Sequence, residues 1–209
     1  MLNPSTKRSL CPHCRRPVIA CICQWVTSIA NMPDVLILQH TLEVNNAKGS
    51  ARLLHLCLQT SSLLEGEQFE ETHLRSLLHA GDRQPVLLYP STTQNDADDL
   101  QYEAPEFLMD GHTLANLRLV ILDATWRKSR KMLYLNPLLQ QLPRLSLQDM
   151  PASHYRIRKA HAPDQLSTLE ATCYALMQLE QEEEKYQALL QAFDGFVGQQ
   201  IGFRITRGL

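Results

Sequence analysis

The sequence lacks the features of a membrane-embedded or secreted protein. None of its apolar runs approaches the ~20 residues that a membrane-spanning helix needs. The N-terminal stretch MLNPSTKRSL has no apolar core of the kind found in secretory signals. Internal repeats and low-complexity linkers are also missing. With 209 residues, of which 44% are hydrophobic and 20% charged, the chain is typical of a soluble globular protein. We therefore expect a cytoplasmic protein with one well-buried core and no membrane association.

Acidic residues are absent from the first 25 positions, although the net charge of the chain is only −2. Residues 65–110 contain eleven acidic and two basic residues, whereas residues 118–159 contain nine basic and two acidic ones. Two basic blocks in a nearly neutral chain suit a protein that holds a polyanion on one face. An ordinary distribution of surface charge explains the pattern equally well.

Four of the six cysteines lie within thirteen residues, in the segment CPHCRRPVIACIC. The C-x-x-C pair and the tighter C-x-C pair can together present four thiolates to one tetrahedral Zn²⁺, and His13 could replace one of them. Disulfides are disfavoured in a reducing cytosol, and no thioredoxin-like context surrounds the C-x-x-C. The segment therefore predicts a structural zinc knuckle within residues 1–30, with the ligands Cys11, Cys14, Cys21 and Cys23. Cys57 and Cys173 lie in apolar helical patterns and are predicted to be core residues.

The remaining residues, 31–209, show alternating strand and helix patterns. The predicted strands cover residues 34–40, 84–90, 117–123 and 143–147. The predicted helices cover residues 46–64, a segment that starts just after residue 123, and residues 166–193, while residues 92–116 are predicted to form an exposed acidic loop. Short apolar strands separated by helices indicate an α/β fold with a mostly parallel sheet and helices on both faces.

The most informative strand is the one that ends at Asp123. A carboxylate at the end of a buried strand is costly unless it is paired or used in chemistry. Thr125 either caps the following helix or belongs to a site, and Trp126 is either a core residue or a cover for a base. The next helical turns are strongly basic and contain Arg127, Lys128, Arg130 and Lys131. This pattern indicates an anion- or nucleotide-binding site, because ligands bind at the carboxyl ends of parallel strands.

Several short motifs occur in an order that resembles the DTW-domain family of tRNA-uridine aminocarboxypropyltransferases, which are relatives of the SPOUT methyltransferases. They are the cysteine segment, QHTLE at 39–43, KGSAR at 48–52, LYPS at 88–91, DATW at 123–126, YRIR at 155–158 and STLE at 167–170. The resemblance covers nearly the whole chain. It implies a SPOUT-like fold with a C-terminal trefoil knot, which periodicity alone would not suggest.

The resemblance also implies an activity. S-adenosylmethionine would donate its aminocarboxypropyl group to N3 of a tRNA uridine, in the variable loop, and 5′-methylthioadenosine would be released. The partner would be tRNA, and no protein partner is implied. The alternatives are a SPOUT-like RNA methyltransferase and a non-catalytic zinc-containing protein that binds RNA.

Residue roles follow from the same resemblance. Asp123 would be the base that takes the N3 proton, with Thr125 and Trp126 beside it. The donor site would contain Leu88, Pro90, Ser91, Leu122, Asp123, Trp126, Tyr155, Arg156, Arg158, Ser167, Thr168 and Glu170. Ser167 and Glu170 also match a helix capping box, S-x-x-E. Only one of Arg156 and Arg158 can face the donor, since they alternate along an extended segment. RNA would be bound by Arg15, Arg16, Lys48, Arg52, Arg127, Arg130 and Lys131.

His40 is the histidine with the strongest indication of a role, because it follows a predicted strand in a region that matches the family. A lone histidine is more often structural than catalytic.

Overall fold

The computed structural model describes residues 9–90, 104–147 and 166–206, with side chains described to residue 203. Five parallel strands form one sheet in the order β2-β1-β4-β3-β5. The strands are β1 (Asp34–Gln39), β2 (Ser61–Glu65), β3 (Gln84–Leu88), β4 (Leu117–Asp123) and β5 (Arg144–Leu145). The helices are α1 (Ala51–Cys57), α2 (Glu71–His79), α3 (Trp126–Leu135), α4 (Pro137–Gln140), α5 (Thr168–Glu180) and α6 (Glu183–Thr206). The predicted α/β fold with a parallel sheet is therefore confirmed.

Helices cover both faces of the sheet because the two central strands, β1 and β4, are apolar on both sides. Alternate residues of a strand point to opposite faces. Val35 and Ile121 belong to a core cluster with residues of α1, α5 and α6, whereas Leu36 and Val120 pack with residues of α2, α3 and α4. Cys57 and Cys173 are buried in the first cluster, as predicted.

Two predicted helices are wrong in extent. The helix predicted over 46–64 is the seven-residue α1, followed by strand β2, because the chain becomes extended at Leu58 and then pairs in parallel with β1. The helix predicted over 166–193 is divided at Gln181, which has a left-handed backbone (φ 55°) and separates α5 from α6. The carboxylate of Glu180 stabilises this break by accepting hydrogen bonds from the Met32 N–H and the Tyr186 hydroxyl, at 2.8 and 2.7 Å.

Other boundaries differ less. The predicted strands at 34–40, 84–90 and 117–123 match β1, β3 and β4 within two residues, while the strand predicted at 143–147 is only the two-residue β5. Helix α2 has no counterpart among the predicted elements. Residues 91–103, which include the first part of the predicted acidic loop, and residues 148–165 lie outside the described part of the chain. The trefoil knot and the domain boundary at residue 30 stay predictions. Within the described residues, none of the helices combines the length and apolar character needed to cross a bilayer.

Candidate functional site

The site lies at the carboxyl ends of β1 and β4, which are neighbours in the sheet. Connections leave this pair toward opposite edges of the sheet, and parallel sheets bind ligands at such a switch point. Gln39, the last residue of β1, stands in register with Asp123, the last residue of β4. Their juxtaposition brings together two side chains that are 84 positions apart in the sequence.

Asp123 is held firmly and is 6% exposed. Its Oδ2 accepts a hydrogen bond from Nε2 of Gln39 at 2.8 Å, and its Oδ1 accepts one from the Thr168 hydroxyl at 2.6 Å. Its carbonyl oxygen accepts from the N–H of His40 at 3.0 Å. Buried carboxylates need such partners, since an unsatisfied charge in a protein interior is strongly destabilising. The carboxylate therefore links β1, β4 and the first residue of α5.

A largely apolar cavity of about 450 Å³ opens beside this carboxylate. Its walls come from the ends of β3, β4 and β5 and from the first turns of α3 and α5. Six of the residues predicted for the donor site line it: Leu88, Pro90, Leu122, Trp126, Ser167 and Thr168. Its volume lies within the ~300–1,000 Å³ that small-molecule sites occupy. Asp123 contacts this cavity through Thr168, which lines the wall and donates to its Oδ1.

An aromatic stack forms one wall of this apolar cavity. The Trp126 and Tyr89 rings lie 5.1 Å apart and are nearly parallel, with an interplanar angle of 11°. The guanidinium of Arg144 lies 5.0 Å from the centre of the Tyr89 ring, and both side chains are buried. Trp126, in contrast, is 49% exposed. Of the two alternatives for Trp126, the core residue is therefore excluded, and its ring remains accessible to a ligand.

Ser167 and Glu170 form the predicted capping box at the start of α5. The Ser167 hydroxyl accepts from the Glu170 N–H at 3.2 Å, and the Glu170 carboxylate accepts from the Ser167 N–H at 2.8 Å. Ser167 also lines the apolar cavity, whereas the buried Glu170 does not.

A second, polar cavity of about 190 Å³ lies at the ends of β1 and β2, where Gln39, a hydrogen-bond partner of Asp123, forms part of its wall. Three of the predicted RNA-binding residues, Arg15, Arg16 and Arg52, line it together with Gln39. The rest of the wall comes from Cys14, Glu43, Val44, Asn45, Asn46, Gly49 and Glu65. Lys48 lies in the adjoining loop, where its N–H donates to Oδ1 of Asn46 at 3.0 Å, but it does not line the cavity.

The four N-terminal cysteines converge on one point next to this polar cavity, with all four Sγ atoms within 4.8 Å of one another. The Cys11–Cys23 and Cys14–Cys21 sulfurs are 3.6 and 3.8 Å apart. A tetrahedron with Zn–S distances of ~2.3 Å requires sulfurs about 3.8 Å apart, so these thiols could hold a metal ion. His13 does not belong to the cluster.

The environment of the cysteines also favours ionisation of one thiol. Hydrogen bonds from the backbone of Cys14 and His13 lower the pKa of Cys11 to about 6. Burial, together with hydrogen bonds to Cys21 and Cys11, raises the pKa of Cys23 to about 12. The lowered pKa favours the thiolate form of Cys11 near neutral pH, and the thiolate is the form of cysteine that binds metal.

Comparison with known proteins decides the family. A family model, the DTW domain, matches residues 8–201. The chain belongs to the DTW-domain family. Relatives named tRNA-uridine aminocarboxypropyltransferase 2 occur in Drosophila melanogaster (27% identity over 200 residues, 90% of this chain and 74% of the relative) and in Macaca fascicularis (26% over 205 residues, 96% and 66%). The relative of that name in Mus musculus is 26% identical over 200 residues, or 93% and 64% of the two chains. No solved structure matches the chain.

The segment that gives the DTW domain its name runs from the end of β4 into α3. Asp123 bonds to Gln39 and Thr168, and Ala124 and Trp126 line the apolar cavity. Thr125 occupies the N-cap position of α3, but its side chain forms no capping hydrogen bond with another described residue. The structure therefore gives the hydroxyl of Thr125 no capping role.

Helix α3 of the DTW domain uses two of its basic residues in ion pairs. Lys128 Nζ lies 2.8 Å from Oε1 of Glu43, and Lys131 Nζ lies 2.9 Å from Oε1 of Glu67. Hydrogen bonds from Lys131, which has the larger effect, and from His40 hold the pKa of the Glu67 carboxyl below its ordinary value. These pairs fix α3 against the loops that follow β1 and β2. Of the other two, Arg127 is exposed and Arg130 is half-buried.

Both ring nitrogens of His40 form hydrogen bonds within the protein, which indicates a structural role. Its Nδ1 accepts a hydrogen bond from the Leu42 N–H at 3.1 Å, which leaves the proton of the neutral ring on Nε2. Nε2 donates to Glu67 at 2.9 Å. His40 therefore shapes the turn at Thr41–Glu43, which forms part of the polar cavity.

The cysteine segment docks on the core of the DTW domain rather than extending from it. Arg16 donates from Nη1 to the carbonyl of Ala47 and from Nη2 to that of Gly49, at 2.7 and 2.8 Å. Trp25 Nε1 donates to Oε1 of Gln199 in α6 at 2.6 Å. Gly195 of α6 leaves room for the Trp25 ring, since a Cβ there would lie 2.2 Å from ring atom Cζ3. The knuckle thus fixes the loop that lines the polar cavity.

Four predicted site residues, Ser91, Tyr155, Arg156 and Arg158, lie outside the described residues. Sequence reasoning missed three others: Gln39, Tyr89 and Arg144. Gln39 and Tyr89 lie in the motifs QHTLE and LYPS, near the carboxyl ends of predicted strands where ligands are expected to bind, but the sequence assigned neither of them a role. Arg144 had no such signal, because its role depends on a ring 55 residues earlier in the chain.

Proposed function

We propose that this DTW domain transfers the 3-amino-3-carboxypropyl group of S-adenosylmethionine to N3 of a uridine in tRNA, in the variable loop. The observation that carries the proposal is the buried carboxylate of Asp123, which accepts a hydrogen bond from Thr168 in the wall of a nucleoside-sized cavity that bears the exposed ring of Trp126. The names of the relatives support the same reaction. An activity on tRNA suits a cytoplasmic protein.

The apolar cavity would hold the donor. Its volume of about 450 Å³ and its apolar walls suit an adenosine, and the Tyr89–Trp126 stack offers a flat surface for the purine. Ser167 and Thr168 bring the N-terminus of the 13-residue helix α5 to the wall. A helix N-terminus favours negative charge, so this end of the cavity suits the donor's carboxylate. The predicted donor contacts of Ser91, Tyr155 and one of the two arginines Arg156 and Arg158 remain part of the proposal.

Asp123 would act as the base. Uridine N3 is a weak nucleophile while it is protonated, and a carboxylate held by two neutral donors, Gln39 and Thr168, is placed to accept its proton. The N3–Cγ bond forms as the Cγ–S bond breaks, and the electron pair of that bond stays on sulfur, which leaves as 5′-methylthioadenosine. The proton passes from N3 to Asp123 and then to solvent. The sulfonium is already a good leaving group, so the chain's contribution is mainly positioning.

The cysteine cluster would hold a structural Zn²⁺. Four thiolates complete a tetrahedral site and leave no open position for catalysis. The arginines beside it and the basic residues of α3 would contact the RNA backbone, which adds affinity but little sequence specificity.

The by-product identifies the reaction. Purified protein is incubated with S-adenosylmethionine and an unmodified tRNA transcript pool, and the released nucleoside is identified by mass spectrometry. Release of 5′-methylthioadenosine that depends on tRNA is expected. Release of S-adenosylhomocysteine would instead identify a methyltransferase, and tRNA binding without either product would identify a binding protein. Both of these results would contradict the proposal.

A further inference from the structure

We propose that the polar cavity at the ends of β1 and β2 receives the uracil ring of the acceptor. This inference deepens the proposed function and rests on it. It assigns the acceptor base to a pocket separate from the apolar cavity, and it makes Arg52 the side chain that recognises the base by hydrogen bonds.

The position of Asp123 supports a two-cavity arrangement. Thr168, which holds Oδ1, lines the apolar cavity, and Gln39, which holds Oδ2, lines the polar one. The carboxylate therefore lies between the two spaces. A donor in one and an acceptor base in the other would meet at the group that has to remove the N3 proton. Proximity of this kind accounts for much of the rate of a two-substrate reaction.

The size and walls of the polar cavity suit a single polar ring. Its volume of about 190 Å³ lies below the ~300–1,000 Å³ of complete small-molecule sites, so it suits a ring the size of a single base. The Glu43 wall is rigid, because this carboxylate is paired with Lys128 and accepts from Asn46, each at 2.8 Å. Arg16 is fixed by the carbonyls of Ala47 and Gly49.

Arg15 and Arg52 are the two cavity arginines whose side chains form no hydrogen bond or ion pair with another described residue. Arg15 is exposed, so the half-buried Arg52 is the one placed to contact a base inside the cavity. Its half-buried side chain lines the cavity from the first turn of α1, and it forms no hydrogen bond or ion pair with another described residue. Uracil presents a carbonyl oxygen on each side of N3, and a guanidinium can donate its planar fork of N–H groups to one of them, O4, while the N3 edge stays open to Asp123 and the donor. Cytosine carries an amino donor where uracil has O4, so the same fork would disfavour it. Arg52 would thus select uracil and orient N3.

A contact between Arg52 and a phosphate is the competing explanation, and two substitutions distinguish the two. Arg52→Lys keeps the charge but loses the fork, whereas Arg52→Met removes the charge. The matched control is Arg75→Met, because Arg75 is an exposed residue of α2 whose one ion pair among the described residues, with Glu71, lies within its own helix. Three quantities are measured for each protein: the single-turnover rate of methylthioadenosine release at saturating tRNA, the tRNA Kd at several salt concentrations, and the Kd for S-adenosylmethionine.

The proposal predicts that both Arg52 substitutions lower the transfer rate by roughly 10- to 100-fold, the usual effect of losing a hydrogen bond from a charged group. In both Arg52 variants, the salt dependence of the tRNA Kd and the Kd for S-adenosylmethionine should match the values of Arg75→Met. Unchanged donor binding also shows that the Arg52 variants are folded. A phosphate contact would instead lower the slope of log Kd against log salt by about 0.7–0.9 in Arg52→Met, and Arg52→Lys would retain its rate. That result, or an unchanged rate in both variants, would overturn the inference. If the wild-type protein releases no methylthioadenosine, the proposed function itself fails, and this inference fails with it.

Discussion

Replacement of Gly195 by alanine tests whether the cysteine knuckle is an integral part of the core. The new Cβ would lie 2.2, 2.4 and 2.7 Å from three atoms of the Trp25 ring, closer than non-bonded carbons approach. The ring cannot move away freely, because its Nε1 is bonded to Gln199, whose own Nε2 donates to the carbonyl of Cys21 at 3.0 Å. The substitution must therefore displace either the indole or helix α6.

Three effects determine the change in the free energy of unfolding: one is stabilising and two are destabilising. Alanine is better than glycine inside a helix by about 1 kcal/mol. Overpacking costs about 1–3 kcal/mol, and loss of the indole hydrogen bond costs about 0.5–1.5 kcal/mol more. We therefore expect Gly195→Ala to lower the free energy of unfolding by roughly 1–3 kcal/mol.

Gly198 provides the matched control in the same helix. A Cβ at this exposed position would meet no atom within 4 Å, so Gly198→Ala should raise the free energy of unfolding by up to about 1 kcal/mol. Urea denaturation of the metal-loaded variants measures both values. Equal stability of the two variants would refute the reasoning, because it would mean that Trp25 does not pack against Gly195.

Three further substitutions test the metal centre and the apolar cavity. Cys11→Ser should remove bound zinc, measured by elemental analysis, and lower the thermal midpoint; a wild-type protein without zinc would contradict the metal assignment. Thr168→Val deletes the hydrogen bond to Oδ1 of Asp123 and should lower the transfer rate roughly 10-fold or more with tRNA affinity unchanged, whereas an unchanged rate would argue against this contact. Trp126→Ala should weaken donor binding, by calorimetry, about 10-fold, the effect of losing one stacked ring. Tyr134→Ala, at an exposed aromatic residue of the same helix, is its control, and equal affinities in the two variants would disprove stacking.

The sequence was sufficient to predict those elements whose pattern is locally decisive. Strand β4 is apolar at nearly every position and ends in a carboxylate, so both its limits and the position of Asp123 could be predicted. The family resemblance and the α/β fold are confirmed. The cysteine spacing likewise predicted four thiols at one point, because C-x-x-C and C-x-C restrict the reach of the chain.

Strand β2 could not be recognised because its local pattern is ambiguous. None of its residues is fully buried, and its two leucines, Leu63 and Leu64, continue the spacing of the apolar residues in α1. The short apolar run fits a helix and a strand equally well. Pairing with β1, a tertiary contact, decides between them.

The partners of Asp123 were beyond sequence reasoning for a different reason. Gln39 and Thr168 are 84 and 45 positions away from it, and neither forms a recognisable spacing with it. Their roles depend on the strand order, which places β1 beside β4, and on the docking of α5 against the sheet. The same is true of the two cavities, whose walls combine segments from several elements.

The most direct test of the account compares Asp123→Asn with the wild-type protein. The asparagine side chain has nearly the same shape but cannot take the N3 proton. Its amide nitrogen accepts no hydrogen bond, so only its single oxygen can accept from Gln39 or Thr168. The measurement is tRNA-dependent release of 5′-methylthioadenosine at saturating donor, alongside the donor Kd. The account predicts retained donor binding and a rate lower by about 100-fold or more. Full activity of Asp123→Asn would contradict the assignment of Asp123 as the base.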